Sequence, residues 1–154
     1  MKVIIVGGVA GGASAAARLR RLNEKVQITI FERSGFVSYA NCGLPYYLSG
    51  IIEDQADLTV QTPDTFKQRF NINVKTEHEV TKIDRDNKTV TVHDLRNDIV
   101  FTENYDKLLL APGAAPVIPS IPGLPSIAET NLSHAMQQAK ANYAKLNSSN
   151  IYIL

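Results

Sequence analysis

Cys42 is the residue best suited to redox chemistry, since a thiolate is both a nucleophile and a partner in disulfide exchange. It is the only cysteine among 154 residues, so its chemistry must use an external partner or a sulfenic acid. Ser38 and Asn41 precede it. Pro45 suits the first turn of a helix that begins near Cys42 or Gly43, whose positive end would stabilise a thiolate. A lone cysteine is also often a small buried hydrophobe, and these residues alone leave both roles open.

A glycine-rich turn (V-G-G-V-A-G-G) separates a predicted buried strand, Lys2–Val6, from a predicted helix, Ala13–Asn23. Gly7 permits the tight turn and Gly12 lets the helix approach the strand, so that the helix start can present free N–H groups to a pyrophosphate. The dinucleotide-binding pattern is G-x-G-x-x-G, and here Val9 replaces its middle glycine. The turn therefore predicts a dinucleotide site but departs from the usual pattern.

The element after this helix strengthens the prediction. Val26–Phe31 reads as a second strand that closes a βαβ unit, and Glu32 follows it 20 residues after Gly12. An acid at this position binds ribose hydroxyls and favours a ribose without a 2′-phosphate. An ordinary charge at the end of a strand is the alternative. Leu19 and Leu22 are expected to form the apolar side of the helix.

The rest of the chain indicates an α/β fold: a parallel sheet with helices on both faces and a small antiparallel β-meander between Lys88 and Phe101. The proline-rich segment Pro112–Pro125 is expected to be a linker. The remaining predicted elements are a helix capped by Thr62 (Pro63–Phe70), strands Asn73–Glu79 and Val80–Ile83, a buried strand Tyr105–Ala111 with Leu108, Leu109 and Leu110 in series, a helix Asn131–Leu146 and the start of a strand Ile151–Leu154.

Composition is that of a soluble globular protein, with 44% apolar and 20% charged residues and a net charge of +1. The longest N-terminal apolar run is too short to span a bilayer and leads into a turn rather than a cleavage site. We therefore expect a cytoplasmic protein with no membrane, nucleic-acid or metal partner. The basic cluster Arg18–Arg21 is explained most simply as a solvated helix face.

Three segments, namely the glycine-rich turn, the segment around Cys42 and Tyr105–Pro116, together resemble the pyridine nucleotide–disulfide oxidoreductases, in the branch with a single active-site cysteine. Ser38–Cys42 (S-Y-A-N-C) matches that branch's S-F/Y-x-x-C signature, and its continuation N-C-G-L-P-Y is similar to coenzyme A–disulfide reductases. The glycine-rich turn resembles the form G-G-V-A-G-G found in this branch. Tyr105–Pro116 is similar to the family's second flavin motif. The resemblance covers residues 1 to about 125.

The resemblance implies an FAD-binding domain at residues 1–125, without its C-terminal segment, and at 126–154 a connecting helix and the first strand of a truncated NAD(P)H-binding domain. Val80 would meet the adenine through its backbone. The glycine-rich turn would hold the pyrophosphate, the strand-end acid the ribose, and the second motif another part of FAD. The implied cofactor-binding residues are Gly7, Gly8, Val9, Ala10, Gly11, Gly12, Glu32, Arg33, Val80, Ala111, Pro112 and Gly113.

The same resemblance implies that electrons from NAD(P)H pass through FAD to a mixed disulfide between Cys42 and coenzyme A. The implied substrate-binding residues are Ser14, Arg18, Arg21, Ser38 and Asn41. Family members of full length are homodimers. A related persulfide as substrate, an NADH oxidase or peroxidase that uses a sulfenic acid, and a non-catalytic flavin-binding fragment remain the alternatives. The interrupted strand at the C-terminus suggests that the chain lacks the rest of the enzyme.

Overall fold

The computed structural model describes residues 1–114, which belong to two compact units. The first unit comprises Met1–Ala40 and Thr59–Ala114, and the described part of the second is Asn41–Leu58. The predicted helix 131–146, the strand at 151–154, most of the linker and the domain boundary at 125 lie outside the described residues. The elements, in chain order, are β1 (Lys2–Val6), α1 (Ala10–Leu22), β2 (Gln27–Glu32), α2 (Leu44–Leu48), α3 (Pro63–Phe70), β3 (Asn73–Thr76), β4 (His78–Asp84), β5 (Thr89–Asp94), β6 (Ile99–Asn104) and β7 (Lys107–Leu110).

A parallel sheet is the centre of the first unit, with strand order β3-β2-β1-β7. In its register, Val6 pairs with Phe31 of β2 on one side and with Leu110 of β7 on the other. The carboxyl ends of these three strands therefore lie together, which is the edge where ligands bind in open parallel sheets. The predicted strands Lys2–Val6 and Val26–Phe31 and the βαβ unit that they form with α1 are confirmed.

The two faces of this sheet are covered differently. Val3 and Ile5 pack with Ala13 of α1 and Phe66 of α3. On the opposite face, Ile4 and Phe31 pack with two valines of the antiparallel sheet, Val90 and Val92. Within residues 1–114, α1 and α3 thus share one face and the second sheet covers the other, whereas the sequence predicted helices on both faces. Alternating valines on β5 supply the apolar surface that a helix was expected to supply.

The antiparallel sheet has three strands in the order β4-β5-β6 and extends further than the meander predicted between Lys88 and Phe101. The predicted strand 73–79 is divided, because Glu77 adopts a positive φ of 57° between β3 and β4. Both hairpin turns have the same construction, in which an aspartate accepts hydrogen bonds from the backbone and side-chain amides of an asparagine three residues later. Those pairs are Asp84 with Asn87 and Asp94 with Asn97.

These turn contacts make the hairpins sensitive to acid. The backbone amide of Asn87 lowers the pKa of Asp84, and the side-chain amide of Asn97 lowers that of Asp94. A carboxyl whose pKa is lower in the folded state stabilises the fold above its unfolded pKa, and this contribution is lost as the pH falls through the folded pKa. The turns are therefore expected to weaken only in acid.

Helix α1 differs from its prediction in two ways. It begins at Ala10 rather than at Ala13, because its first turn includes two glycines that sequence propensity places in the preceding loop. Its buried polar residue is Arg20, whereas Leu22, which was expected on the apolar side, is 66% exposed. Leu19 packs against the core as predicted. The predicted solvated face is therefore wrong at Arg20.

Arg20 holds the ends of two helices. Its guanidinium donates to Phe70 O at 2.7 Å and Asn71 O at 2.9 Å, where α3 ends. It also donates to the carbonyl groups of Asn23 and Glu24, where α1 ends. Carbonyl groups at helix ends have no partner within the helix, and one buried cation satisfies several of them here.

Two further elements test the local predictions. Helix α3 begins as predicted, with Thr62 as N-cap in a reciprocal capping box with Thr65 and with Pro63 in its first turn. Among residues 1–114, β7 lies at an edge of the parallel sheet, and its residues Leu109 and Leu110 are 37% and 55% exposed. The prediction of a buried strand was wrong here, because a run of leucines does not distinguish a central strand from an edge strand.

None of the helices described in residues 1–114 has the length and apolar character needed to cross a membrane.

The second unit begins with a 3-10 turn, Asn41–Gly43, that leads directly into α2. Pro45 lies in the first turn of α2, as predicted. The helix ends with Ser49 donating its backbone N–H to Pro45 O at 2.9 Å. This part of the chain is made of short helical turns rather than of long elements.

Candidate functional site

Two glycines let the backbone close tightly at the end of β1. Gly7 adopts a φ of +92°, and a Cβ there would lie 2.1 Å from Ala111 O at the end of β7. A Cβ at Gly12 would lie 1.8 Å from Gly7 O. Real Cβ atoms do not tolerate such distances, so both positions require glycine. The glycine-rich turn and the segment Tyr105–Pro116 therefore meet at this point.

Gly8 is fixed on three sides. Its N–H donates to Glu32 Oε2 at 2.7 Å, and its carbonyl accepts the backbone N–H of Ser38 at 2.8 Å. A Cβ at Gly8 would lie 2.9 Å from Cγ2 of Val37 and 3.1 Å from Cγ2 of Ile30. Gly8 is buried, and its position is set by groups from β2 and from the segment that follows β2.

The start of α1 is open to an anion. Val9 is its N-cap and makes no side-chain capping bond, and the first turn contains no acidic residue. Ala10 and Gly11 are exposed. Helix N-termini attract phosphate when their first N–H groups have no other partner. The residues present thus fit the phosphates of a dinucleotide. The glycines let a phosphate approach the backbone closely, and the first turn has no carboxylate side chain that would compete with the phosphate for the N–H groups.

Glu32 lies at the end of β2, as predicted, and is only 8% exposed. Besides Gly8, its carboxylate accepts the backbone N–H of Ser34 at 2.8 Å. Arg33, the next residue, is exposed and forms an ion pair with Glu79 at 3.5 Å. The acid predicted to bind ribose is therefore already bonded to the backbone through both oxygens.

The end of β7 supplies the other predicted cofactor contacts. Ala111 donates its N–H to Val6 O at 2.8 Å and is half-buried, while Pro112 and Gly113 are exposed. Gly113 has a φ of +72°. Val80 lies on β4, beside a register shift, and its side chain packs against the core cluster of the antiparallel sheet. The predicted contact with adenine would therefore be made by the backbone of Val80.

Residues predicted to bind substrate lie in three places. Ser14, Arg18 and Arg21 are exposed and spaced four and three residues apart on α1, which places them on one side of the helix. Ser38 adopts a positive φ of 52°, and its carbonyl accepts Val60 N–H at 3.0 Å. Asn41 belongs to the second unit and is exposed.

Cys42 is a free, exposed thiol within the 3-10 turn that precedes α2. Its predicted position at or just before a helix start is confirmed, and the alternative of a small buried hydrophobe is excluded. An exposed thiol is accessible to attack a disulfide.

Sequence reasoning missed the positioning groups of this region. Arg20 was grouped with its exposed neighbours, and the backbone bonds of Gly8 with Glu32 and Ser38 were not foreseen. No sequence signal marks them, because each depends on which backbone atoms the fold brings beside the side chain.

This chain is similar to known proteins in both sequence and structure. A family model described as pyridine nucleotide-disulphide oxidoreductase matches residues 1–154. Coenzyme A disulfide reductase of Staphylococcus haemolyticus is 48% identical over 113 residues, which are 73% of this chain and 26% of that protein. This chain therefore spans about a quarter of the length of that curated relative.

Two solved structures are also similar. Reduced CoADR-RHD of Bacillus anthracis is 42% identical, with a TM-score of 0.81, over 95% of this chain and 27% of that one. Water-forming NADH oxidase of Lactobacillus brevis, bound to NADH, is 37% identical, with a TM-score of 0.78, over 94% of this chain and 32% of that one.

Proposed function

Because this chain belongs to the pyridine nucleotide–disulfide oxidoreductase family, we propose that it is part of an FAD-dependent enzyme that uses NAD(P)H to reduce coenzyme A disulfide or a related persulfide. The observation that carries this proposal is Cys42, the single cysteine of the chain, which is exposed on a short turn. The similarity to a coenzyme A disulfide reductase supports the choice of substrate.

FAD would be held by the residues at the carboxyl ends of β1, β2 and β7. Gly7 and Gly12 bring the backbone close to the pyrophosphate, and Ala10 and Gly11 present the start of α1 to it. When bound, FAD would supply the two-electron chemistry that links NAD(P)H to a disulfide. Val9, Gly8, Glu32, Arg33, Val80, Ala111, Pro112 and Gly113 complete the proposed cofactor-binding set.

Cys42 would carry the substrate half of the reaction. Its thiolate attacks one sulfur of coenzyme A disulfide, so that a Cys42–coenzyme A disulfide forms, the original S–S bond breaks and one coenzyme A thiolate leaves. Two electrons that originate from NAD(P)H then cleave the mixed disulfide, a proton is taken up by the second coenzyme A thiolate, and Cys42 returns as thiolate.

The substrate's charge suggests where its remote part binds. Coenzyme A carries phosphate groups, and Arg18 and Arg21 form a basic, exposed side of α1 together with Ser14. Ser38 and Asn41, close to Cys42 in the sequence, would orient the reacting sulfurs. We also propose that the complete protein acts as a homodimer in the cytoplasm.

The similar NADH oxidase favours one alternative, in which Cys42 cycles through a sulfenic acid and reduces oxygen or peroxide. A third candidate, a non-catalytic flavin-binding fragment, needs no reactive thiol. Incubation with coenzyme A disulfide, followed by denaturing intact mass measurement without reductant, separates the three.

The proposal predicts a mass increase of one coenzyme A moiety on wild type and none on Cys42→Ser. Added oxygen atoms on wild type after peroxide treatment, with no coenzyme A adduct, would favour the oxidase or peroxidase. An unmodified thiol under both treatments would leave the flavin-binding fragment as the better description.

A further inference from the structure

Gly8 is the most constrained residue of the glycine-rich turn, and Glu32 supplies one of its constraints. The carboxylate accepts Gly8 N–H at 2.7 Å and Ser34 N–H at 2.8 Å, one with each oxygen. Charge-assisted bonds of this kind are about twice as strong as bonds between neutral groups. Since Glu32 is 8% exposed, water offers little competition for either bond.

The hydrogen bond from Ser34 N–H to Glu32 fixes residues beyond the glycine-rich turn. Ser34, whose N–H is held by Glu32, accepts the backbone N–H of Glu77 at 3.0 Å where β3 gives way to β4. One buried carboxylate thus links the turn after β1 with the segment after β2, and through it the residue that follows β3. These are the strand ends where the dinucleotide is proposed to lie.

A carboxylate has about four acceptor positions, so two amide bonds leave room for ribose hydroxyls. The two roles are therefore separable. Binding ribose requires a ligand, whereas the bond to Gly8 exists in the protein without one. The start of α1 has no side-chain cap to fix the turn, which leaves Glu32 as the side chain that does so among the described contacts.

We propose that Glu32 is a positioning residue that holds Gly8, and with it the glycine-rich turn, in the phosphate-binding conformation before any nucleotide arrives. The significance of that conformation rests on the proposed function. The hydrogen bond between Gly8 N–H and Glu32 does not depend on the proposed function, so the bond and the function can be tested separately.

Amide hydrogen exchange in the ligand-free protein tests the bond directly. In Glu32→Met, both acceptor oxygens are lost while the side chain keeps about the same length. We expect the protection of Gly8 N–H to fall about ten-fold or more, while that of Gly7 N–H, bonded to Phe31 O, changes little. Glu24→Met makes the same substitution at an exposed position and serves as the matched control.

Unchanged protection at Gly8 in Glu32→Met would overturn the proposal. If that variant does not fold, Glu32→Gln keeps one acceptor oxygen, and protection is expected to fall at Gly8 N–H or at Ser34 N–H. Native protection of both amides in Glu32→Gln would also contradict the proposal, because one of them must then face an NH₂ group.

Binding of two nucleotides separates positioning from ribose recognition. ADP and 2′,3′-dideoxy-ADP are titrated into wild type and Glu32→Met. Positioning predicts that the variant loses affinity for both by a similar factor. A loss confined to ADP would show that Glu32 acts only through the ribose hydroxyls and would overturn the inference. If wild type binds neither nucleotide, the proposed function fails, and the exchange of Gly8 still decides whether Glu32 holds the turn.

Discussion

The glycine-rich turn and the segment around Cys42 are built in opposite ways. In the turn, Gly7, Gly8 and Gly12 are closely surrounded by atoms of β1, of β2 and of the residues that follow β2 and β7, and two of these positions accept no side chain at all. Around Cys42 the chain forms a single 3-10 turn and a five-residue helix, and the thiol is exposed.

This difference matches what each region would have to do. A site that binds phosphate through backbone N–H groups needs a fixed backbone, since small displacements remove several hydrogen bonds together. A thiol that attacks a disulfide needs access and room for a large partner. The comparison predicts that substitutions in the turn affect folding and binding, whereas substitution of the exposed thiol affects only its chemistry.

The largest effect is expected from Gly12→Ala. The new methyl group would lie 1.8 Å from Gly7 O, so either the turn or α1 must move, and we expect a loss of about 3 kcal/mol in the free energy of unfolding. Gly35→Ala is the control, because a Cβ there has no neighbour within 4 Å. Chemical denaturation of both variants tests this, and equal stabilities would show that the turn is not close-packed.

A smaller loss is expected from Arg20→Met, which keeps the aliphatic part of the side chain but leaves four backbone carbonyls without their donor. We expect about 2 kcal/mol of destabilisation. Arg21→Met, at the exposed neighbouring position, should change stability by less than about 0.5 kcal/mol. Similar thermal unfolding of the two variants would argue against a structural role for Arg20.

Ser38 lies between the glycine-rich turn and Cys42 in the sequence. It has a positive φ of 52°, and its backbone N–H donates to Gly8 O. A left-handed conformation costs a residue with a Cβ about 1 kcal/mol relative to glycine. Ser38→Gly should therefore be more stable than Ser38→Ala by about that amount, although both lack the hydroxyl. If the alanine variant is the more stable, the backbone at Ser38 is not strained.

The smallest effect on stability is expected from Cys42→Ser. Since the thiol is exposed, the free energy of unfolding should change by less than about 0.5 kcal/mol, while reaction with coenzyme A disulfide is lost. A clear destabilisation would mean that Cys42 is a packing residue, and the contrast between the two regions would then fail.

Much of the fold followed from the sequence because its signals are local. Thr62 and Pro63 mark the start of α3 by their own chemistry, and the strand–turn–helix pattern around Gly7 identifies the βαβ unit. The family and the α/β class with a parallel sheet and a meander are confirmed. The position of Glu32 at a strand end was also predictable, since it follows from spacing alone.

What the sequence could not give depends on distant neighbours. Arg20 and Arg21 are the same residue type side by side, yet only the first meets the carbonyl groups at the end of α3. Leu110 belongs to an apolar run but lies on an edge strand of the sheet that residues 1–114 form. The roles of the site residues in binding cofactor and substrate remain predictions.

Retention of flavin by the purified chain tests the central claim most directly. The chain is mixed with FAD or with FMN, passed through gel filtration, and its visible absorption is recorded. If the glycine-rich turn binds the dinucleotide through its phosphates, FAD stays with the protein and FMN, which lacks the adenosine half, does not. A colourless protein after FAD, or equal retention of both flavins, would contradict the account.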